Sequence, residues 1–300
     1  MEKGKSLPSK KEERYFYLFI SPWLIGFFLF TAGPMIASLY FSFSQYNMVK
    51  PPQWIGLKNY INLISDPLFW QSLKVTSIYS FFSVPLGITF SLIIALLLNQ
   101  KVRGLAWFRT IFYTPSVISG VAVSLLWMWI FNPEFGILNY LLWEIFRIKG
   151  PAWLFDEFWV LPALIIMSLW GIGGGIVIYL ASLQGIPTEL YEAAEIDGAS
   201  SWNKFWRVTL PLITPVIFFN LITGIIGSFQ VFTQGYVMTG GGPHYASLFY
   251  VLYLYQEAFL SFNMGYASAL AWILFLIILF FTLIIFKSSS LWVYYEGTRR

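Results

Sequence analysis

The sequence predicts an all-α integral membrane protein with six transmembrane helices, from its composition and from six long apolar runs. Charged residues make up 11% of the 300-residue chain, against about a quarter in soluble domains. Hydrophobic residues make up 58%. Each run is long enough to cross about 30 Å of hydrocarbon at about 1.5 Å per helical residue. The runs are 15–43, 76–98, 111–131, 158–183, 212–232 and 264–286, and none contains Asp, Glu, Lys, Arg or His.

The first run differs from the others because it contains both Pro22 and Pro34. Proline removes a backbone hydrogen bond, so we expect this helix to be kinked or shorter than the run. A cleavable signal peptide is excluded, since the apolar region is too long and no small-residue cleavage site follows it. We therefore interpret the run as a permanent span.

The distribution of Lys and Arg predicts the orientation in the membrane. With six spans, five of the eighteen basic residues fall on one side, namely Lys50, Lys58, Lys74, Arg147 and Lys149. The other thirteen lie on the side that holds both termini and the loops after the second and fourth spans. Cytoplasmic loops carry the basic excess, so both termini are expected to be cytoplasmic. The net charge of +4 then needs no nucleic-acid partner.

An apolar segment at 248–259 follows the turn-forming residues Gly240 to Pro243 and has two interpretations. It is either a seventh span or a re-entrant or interfacial helix. Gln256, Glu257 and the modest length favour the second interpretation.

The polar stretch between the fourth and fifth spans predicts two short helices that meet at a glycine. Pro187 and Glu189 suit a helix start, and Gly198 suits a left-handed helix end. Ser200 or Ser201 can cap the second helix, which carries Trp202, Phe205, Trp206 and Val208. At about 100° per residue, one face of the first helix holds Leu190, Ala193, Ala194 and Asp197. Such a rigid protrusion fits a groove on another protein.

This stretch resembles the EAA loop of ABC-importer permeases, the cytoplasmic element that docks into a cleft on the ATP-hydrolysing subunit. The family pattern is Glu-Ala-Ala, three residues, Gly, and then about nine residues to an Ile/Val-x-Leu-Pro. The alternative is an ordinary solvated amphipathic helix. The residues that match, and that the resemblance assigns to docking, are Glu192, Ala193, Ala194, Asp197, Gly198, Ala199, Phe205, Leu210 and Pro211.

The resemblance extends over most of 70–290 and is greatest to the sugar-transport branch. Residues 236–243 and 265–267 match that branch, as do Asn132-Pro133, Gly136 and Asn139. The implied fold is the MetI-like transmembrane domain of a type I ABC importer with one extra N-terminal helix. The implied organisation is a tail at 1–14, a first transmembrane helix at 15–45, a five-helix core at 70–290 and a tail at 291–300. The core includes a coupling loop at 184–211.

The resemblance also implies the partners. It implies a second permease subunit in a heterodimer, two ATP-binding subunits and an extracytoplasmic solute-binding protein. It further implies the plasma (inner) membrane of a prokaryote, with lipid around the spans. ATP and magnesium are expected on the partner ATPase, and no cofactor on this chain.

The residues themselves argue against chemistry within the chain. A P-loop, Gly-x-x-x-x-Gly-Lys-Ser/Thr, is absent from the sequence, so ATP binding through that motif is not expected. No nucleophile–base pair or carboxylate pair is evident. His244 is the single histidine and there is no cysteine, so a zinc site is not expected.

Energy for transport is expected to arrive mechanically from a partner. Carriers driven by protons or sodium usually keep ionisable groups in their spans, and the six runs hold none. The hypothesis is alternating access, in which ATPase closure moves the coupling loops and opens the pathway outward. A secondary carrier and a membrane enzyme of lipid chemistry are the other classes.

Five polar or aromatic residues in and after the fifth span are candidates for the solute pathway. They are Asn220, Thr223, Gln230, Gln234 and Tyr236. Polar groups at this depth need partners, so hydrogen bonds between helices are an equal alternative to solute contact for Asn220. The resemblance favours a sugar or oligosaccharide, and glycerol phosphate, polyols and other polar solutes remain open.

Overall fold

The computed structural model describes residues 10–100 and 103–294, and these form a mostly helical protein. They divide into two compact units, residues up to Leu63 with Glu257–Trp272, and Ile64–Gln256 with the residues from Ile273 onward. The coupling loop and the candidate pathway both lie in the second unit.

The first unit contains the N-terminal helices, a short hairpin and the start of the last helix. A single continuous helix consists of α1 (Lys10–Phe27), a π-helical turn (Phe28–Ala32) and α2 (Gly33–Ser42). Strands β1 (Ser44–Gln45) and β2 (Gln53–Trp54) pair antiparallel, and α3 (Lys58–Ile64) follows. The buried Asn59 amide donates to the carbonyls of Ser42 and Ser44 at 2.9 and 3.0 Å. This contact fixes the end of α2 against α3.

The prolines do not shorten the first span. Pro22 lies inside α1, and Pro34 lies in the first turn of α2, directly after the π-helical turn. A wider π turn accommodates the missing N–H of a proline. The apolar helix therefore runs from Arg14 to Ser42.

The second unit begins with the long helix α4 (Pro67–Leu98). The Asp66 carboxylate caps it by accepting from the Leu68 N–H at 2.8 Å, and Pro67 occupies the first turn, where proline is tolerated. The remaining elements are α5 (Leu105–Tyr113), a 3₁₀ turn (Thr114–Val117), α6 (Gly120–Ile130), α7 (Ile137–Phe146), α8 (Val160–Ser168), a 3₁₀ turn (Leu169–Gly171), α9 (Gly173–Gln184), α10 (Thr188–Ile196), α11 (Ser201–Lys204), a π turn (Phe205–Thr209), α12 (Leu210–Phe229), a π turn (Gly235–Thr239), α13 (Tyr250–Tyr255), a π turn (Gln256–Leu260) and α14 (Met264–Trp292), whose first residues belong to the first unit.

Among the described residues, four helices are long and apolar enough to cross a membrane, or six if each of two bent pairs counts as one span. The four are Arg14–Ser42, Pro67–Leu98, Ser201–Phe229 and Met264–Trp292. The six predicted runs correspond to these four helices and to the two bent pairs. The predicted run 111–131 is not one straight helix, because Leu105–Val117 and Gly120–Ile130 meet at 102°. Residues 158–183 are also bent, by 46° between Val160–Gly171 and Gly173–Gln184.

Both bends occur where proline or glycine interrupts the helix. In the first pair, Pro115 lies in the 3₁₀ turn and Ile118 adopts an extended conformation before Gly120. In the second pair, the break lies between Gly171 and Gly173. A Cβ on Gly173 would come within 2.6 Å of the Phe112 carbonyl oxygen, so the two bent regions pack closely because that side chain is absent.

The segment at 250–260 is too short to be a seventh span. Helix α13 and its π turn together have eleven residues, or about 17 Å at about 1.5 Å per residue. Tyr250 and Leu252 are fully buried, and the Tyr250 N–H donates to the Thr76 hydroxyl of α4 at 2.9 Å. The segment is thus a short helix held against α4.

Candidate coupling loop and polar pathway

The coupling loop (residues 184–211) is anchored to the core at both ends. A buried apolar cluster contains Leu180 and Leu183 of α9, Ile213 of α12 and Leu98 of α4, with Ile186 and Leu210 packed against it. The loop leaves the core directly after α9 and returns directly into α12. Its position is therefore set by the packing of these three helices.

Gly198 ends the first helix of the loop in the left-handed conformation that the sequence predicts, with φ of 74°. The Ala199 N–H donates to the Ala194 carbonyl at 2.8 Å, and the Gly198 N–H donates to the Glu195 carbonyl at 3.0 Å. These two bonds are the Schellman pattern of a helix C-terminus. Nothing lies within 4 Å of a Cβ built on Gly198, so the backbone conformation alone accounts for a glycine here.

The second helix of the loop is not separate, contrary to the prediction. Ser200 caps it, accepting from the Asn203 N–H at 3.3 Å. From Ser201 the helix then continues through a π turn into α12 and ends at Phe229. Pro211 lies in the first turn of α12, after the π turn, and therefore does not interrupt the helix. The fifth span is thus a direct extension of the loop.

Two side-chain contacts hold the two helices of the loop together. The hydroxyls of Tyr191 and Thr209 lie 2.9 Å apart in a partly buried position. Lys204 Nζ donates to Glu195 Oε1 at 2.6 Å. Since Glu195 is more than half exposed, the ion pair contributes well under 1 kcal/mol. The Tyr191–Thr209 contact is the better shielded of the two.

The outer surface of the loop exposes apolar side chains. Ile196 is 88% exposed and Trp202 is 68% exposed, and Ala193 also faces outward. Large exposed apolar groups that lie together mark interaction surfaces. Of the predicted docking residues, Glu192, Ala193, Asp197 and Gly198 are exposed, whereas Ala194, Ala199, Phe205, Leu210 and Pro211 are half-buried.

A second feature of this unit is a polar cavity of about 270 Å³ between α4, α9 and α12. Asn220 and Thr223 line it, together with Ser91 of α4 and Tyr179 of α9. Asn220 Nδ2 donates to the Val216 carbonyl at 2.9 Å, and the Thr223 hydroxyl donates to the Phe219 carbonyl at 2.9 Å. These two bonds stay within α12. The Asn220 Oδ1 atom lies beside α9, 3.5 Å from the position that a Cβ on Gly175 would take.

Tyr179 is a cavity residue that the sequence analysis missed. Its side chain is fully buried, and its hydroxyl has no hydrogen-bond partner among the described residues. A buried hydroxyl without a partner is destabilising by about 1–3 kcal/mol. Because Tyr179 lines the polar cavity, its hydroxyl is a further candidate for solute contact. A tyrosine among apolar neighbours on a helix gives no sequence signal that would have found it.

The other three candidates lie apart from this cavity. Gln230 and Tyr236 are exposed and Gln234 is half-buried, beyond the end of α12. Tyr236 stacks on Phe232 with ring centroids 5.2 Å apart, and Tyr255 packs edge-on against Tyr236 at 5.4 Å. Of the predicted pathway residues, Asn220 and Thr223 therefore lie at the polar cavity and Tyr236 lies in an aromatic cluster, whereas Gln230 and Gln234 belong to neither. In the described part of the chain, no group of His, Cys, Asp or Glu could hold a metal.

Comparison with known proteins gives the family. Residues 87–291 match the family described as "Binding-protein-dependent transport system inner membrane component". The chain belongs to this family. It is a membrane permease subunit of an ABC importer and not itself an enzyme.

Individual relatives of this permease are similar over nearly its whole length. The probable ABC transporter permease protein YesP of Bacillus subtilis (strain 168) is 44% identical, covering 99% of this chain and 96% of the relative. The lactose transport system permease protein LacF of Rhizobium radiobacter is 37% identical, covering 87% of this chain and 89% of the relative.

A chain of a bacterial ABC transporter for the acidic polysaccharide alginate has the same fold, with a TM-score of 0.83. It is 26% identical and the alignment covers 93% of this permease and 96% of that chain. A second structure of that transporter contains an alginate pentasaccharide-bound periplasmic protein. The MetI-like importer fold expected from the resemblance is therefore confirmed.

Proposed function

We propose that this permease forms half of the pathway through which a sugar or oligosaccharide is imported, with an ATPase subunit docked on its coupling loop. The observation that carries the proposal is the continuous helix from Ser201 to Phe229. It links the exposed surface of the loop directly to the span that lines the polar cavity. A movement of the loop therefore also moves the helix that lines the cavity.

The proposed complex contains a second permease in a heterodimer, two ATP-binding subunits that carry ATP and magnesium, and an extracytoplasmic solute-binding protein. Both termini and the coupling loop lie in the cytoplasm of a prokaryote, in keeping with the basic excess on that side. ATP-driven closure of the ATPase pair favours one of two orientations of the permease cores. The solute is released from the binding protein into the cavity when it opens outward.

The docking surface of the loop is proposed to include Glu192, Ala193, Asp197 and Gly198 at its centre, with Ile196 and Trp202 beside them. The half-buried Ala194, Ala199, Phe205, Leu210 and Pro211 are proposed to hold this surface in shape. The division follows their exposure, because only exposed side chains can reach a partner.

A neutral solute is supported by the lining of the cavity. Its residues include an amide, three hydroxyls and three glycines but no charged side chain. Hydroxyl and amide groups suit sugar hydroxyls, whereas a phosphate needs cations or backbone donors. Glycerol phosphate is therefore the weaker alternative, and a polyol shares the chemistry of a sugar. The names of relatives such as the lactose permease LacF point in the same direction.

The docking proposal is tested by cross-linking. The chain has no native cysteine, so a single Ile196→Cys variant gives an unambiguous site. In membranes containing the complete complex, a short bifunctional maleimide is expected to join this cysteine to a cysteine in the cleft of the ATPase subunit. Phe158→Cys, which is 87% exposed outside the loop, is the matched control and should give no such product.

Solute identity is tested separately, in proteoliposomes with the binding protein supplied outside and ATP supplied inside. Uptake of a labelled oligosaccharide, with no uptake of labelled glycerol phosphate, is expected. Uptake driven by an ion gradient without ATP would contradict the proposal and indicate a secondary carrier.

A further inference from the structure

We infer that the second unit carries a binding site for a zwitterionic phospholipid of the phosphatidylethanolamine type, between the end of α6 and the short helix α7. The site is a cavity of about 440 Å³. It is separate from the coupling loop and from the polar cavity at Asn220. No part of the transport proposal depends on it.

Helix α7 is apolar and too short to cross the membrane. It has ten residues, or about 15 Å at about 1.5 Å per residue. Tyr140, Trp143, Ile145 and Phe146 are all more than half exposed, and they do not share one side of the helix. Tyr140, Trp143 and Phe146, spaced three residues apart, do share a face, and in the proposed site the helix lies along the membrane surface with this face in the lipid.

The cavity opens on an exposed apolar face that continues along α6. Trp129 lines the cavity and lies one helical turn from Leu125 and Leu126, and all three are exposed. Residues three and four apart share a helix face. The proposed site places Trp129 and Trp143 at the boundary between hydrocarbon and water, where tryptophan is enriched.

Two opposite charges line the same cavity without neutralising each other. Glu134 and Lys149 both belong to its wall, and neither forms an ion pair among the described residues. Phosphatidylethanolamine offers a phosphate for the lysine and an ammonium group for the glutamate. Phosphatidylglycerol offers only the phosphate. The charge pair therefore selects the zwitterionic headgroup, and the aromatic wall suits the acyl chains.

The walls of the cavity are preformed by hydrogen bonds. Asn139 Nδ2 donates to the carbonyls of Pro133 and Pro151 at 3.2 and 3.1 Å, and its Oδ1 accepts from Trp153 Nε1 at 2.7 Å. A Cβ on Gly150 would overlap the Asn139 amide. The two segments that bear Glu134 and Lys149 are thus held together before any lipid binds.

Native mass spectrometry of the purified complex tests the inference, with phosphatidylethanolamine and phosphatidylglycerol of identical acyl chains as probes. Phosphatidylethanolamine should be retained several-fold more than phosphatidylglycerol. Lys149→Ala should lower retention of both lipids about fivefold, the effect of one basic side chain at a lipid surface. Glu134→Gln should remove only the preference for phosphatidylethanolamine. Equal retention of the two lipids by the parent protein would overturn the inference.

Matched controls come from the neighbouring exposed ion pair of Glu144 and Arg147, neither of which lines the cavity. Arg147 Nη1 lies 3.8 Å from Glu144 Oε2. Glu144→Gln and Arg147→Gln should leave lipid retention unchanged. If they lower it as much as the cavity variants do, the lipid binds the surface in general and the site is disproved.

Maleimide labelling of a Tyr140→Cys variant distinguishes a lipid from a protein partner. Labelling should be fast in detergent and slow in phosphatidylethanolamine nanodiscs that lack the solute-binding protein. Slowing that appears only after the binding protein is added would assign this surface to that protein and overturn the lipid site.

Discussion

The hydroxyl of Tyr191 in α10 lies 2.9 Å from the hydroxyl of Thr209 at the end of the following π turn. This bond closes the coupling loop on itself, because it joins the first loop helix to the base of the fifth span. In the proposed complex, force applied to α10 by the docked ATPase subunit would reach α12 through this contact as well as through the chain at Gly198.

Removing that bond should weaken coupling without preventing assembly. Tyr191→Phe deletes one hydroxyl and about 1 kcal/mol of net interaction. We expect a lower ratio of solute transported to ATP hydrolysed, with a normal amount of complex in the membrane. The measurement is uptake and ATPase activity in the same proteoliposomes. Tyr17→Phe, on the exposed N-terminal helix, serves as the control and should leave the ratio unchanged.

Substitutions of Gly198 should rank by their tolerance of positive φ. With φ of 74°, Asn is tolerated best, Ala is strained by about 1–2 kcal/mol and the β-branched Val is strained most. Uptake is expected to fall in the order Asn, Ala, Val, with Gly198→Val uncoupled but still inserted with its partners. Normal uptake by Gly198→Val would count against the docking role of the loop.

The glycines at the start of α9 should differ in their sensitivity to alanine. A Cβ on Gly173 meets the Phe112 carbonyl oxygen at 2.6 Å, whereas nothing lies within 4 Å of a Cβ on Gly174. Gly173→Ala should therefore lower the unfolding temperature by several degrees, because backbone atoms must move. Gly174→Ala should leave it unchanged or slightly raised. Thermal unfolding in detergent checks both, and equal effects would contradict the packing.

The unpartnered Tyr179 hydroxyl provides a test of the polar cavity. Tyr179→Phe removes a buried hydroxyl that has no partner in the described part of the chain, so stability should be unchanged or improved. If the cavity opens during transport and exposes this hydroxyl to the solute, Tyr179→Phe should raise the KM for transport about fivefold, equivalent to about 1 kcal/mol. Asn220→Leu should raise KM as well.

Ser124→Ala is the control for that experiment, since Ser124 bonds only to the Gly120 carbonyl in α6 and lies outside the cavity. An unchanged KM in both Tyr179→Phe and Asn220→Leu would show that the cavity does not contact the solute.

Asn139 should be important for the stability of the fold rather than for solute transport. Asn139→Leu leaves the carbonyls of Pro133 and Pro151 and the Trp153 N–H without their partner. We expect a loss of about 1–3 kcal/mol in unfolding free energy, measured by denaturant unfolding. Asn99→Leu, at the exposed end of α4, should be nearly neutral.

The location of the apolar elements could be predicted from the sequence because hydrocarbon requires long uncharged helices. Their continuity could not. The run 111–131 contains no charged residue, yet the helices Leu105–Val117 and Gly120–Ile130 meet at 102° within it. The direction of a chain after Pro115 depends on what it packs against. Conversely, the second loop helix is predicted to be short, whereas the π turn before Pro211 allows it to continue into the fifth span.

The coupling loop was predictable in detail at Gly198 because a left-handed helix end is a local property of the backbone. The cavity was predictable only in part. Asn220 and Thr223 stand out as polar residues in an apolar span, whereas Tyr179 and Ser91 join them only through the packing of α4 and α9 against α12. Such contacts between distant segments leave no pattern in a single sequence.

The unbroken helix from Ser201 to Phe229 also sets the size of the movement that the protein can make. Its 29 residues extend about 43 Å at about 1.5 Å per residue. If the helix moves as one rigid body, a swing of about 10° at one end displaces the other by about 7 Å over that length. Under the proposed mechanism, a small rocking angle would therefore be enough to open or close the route.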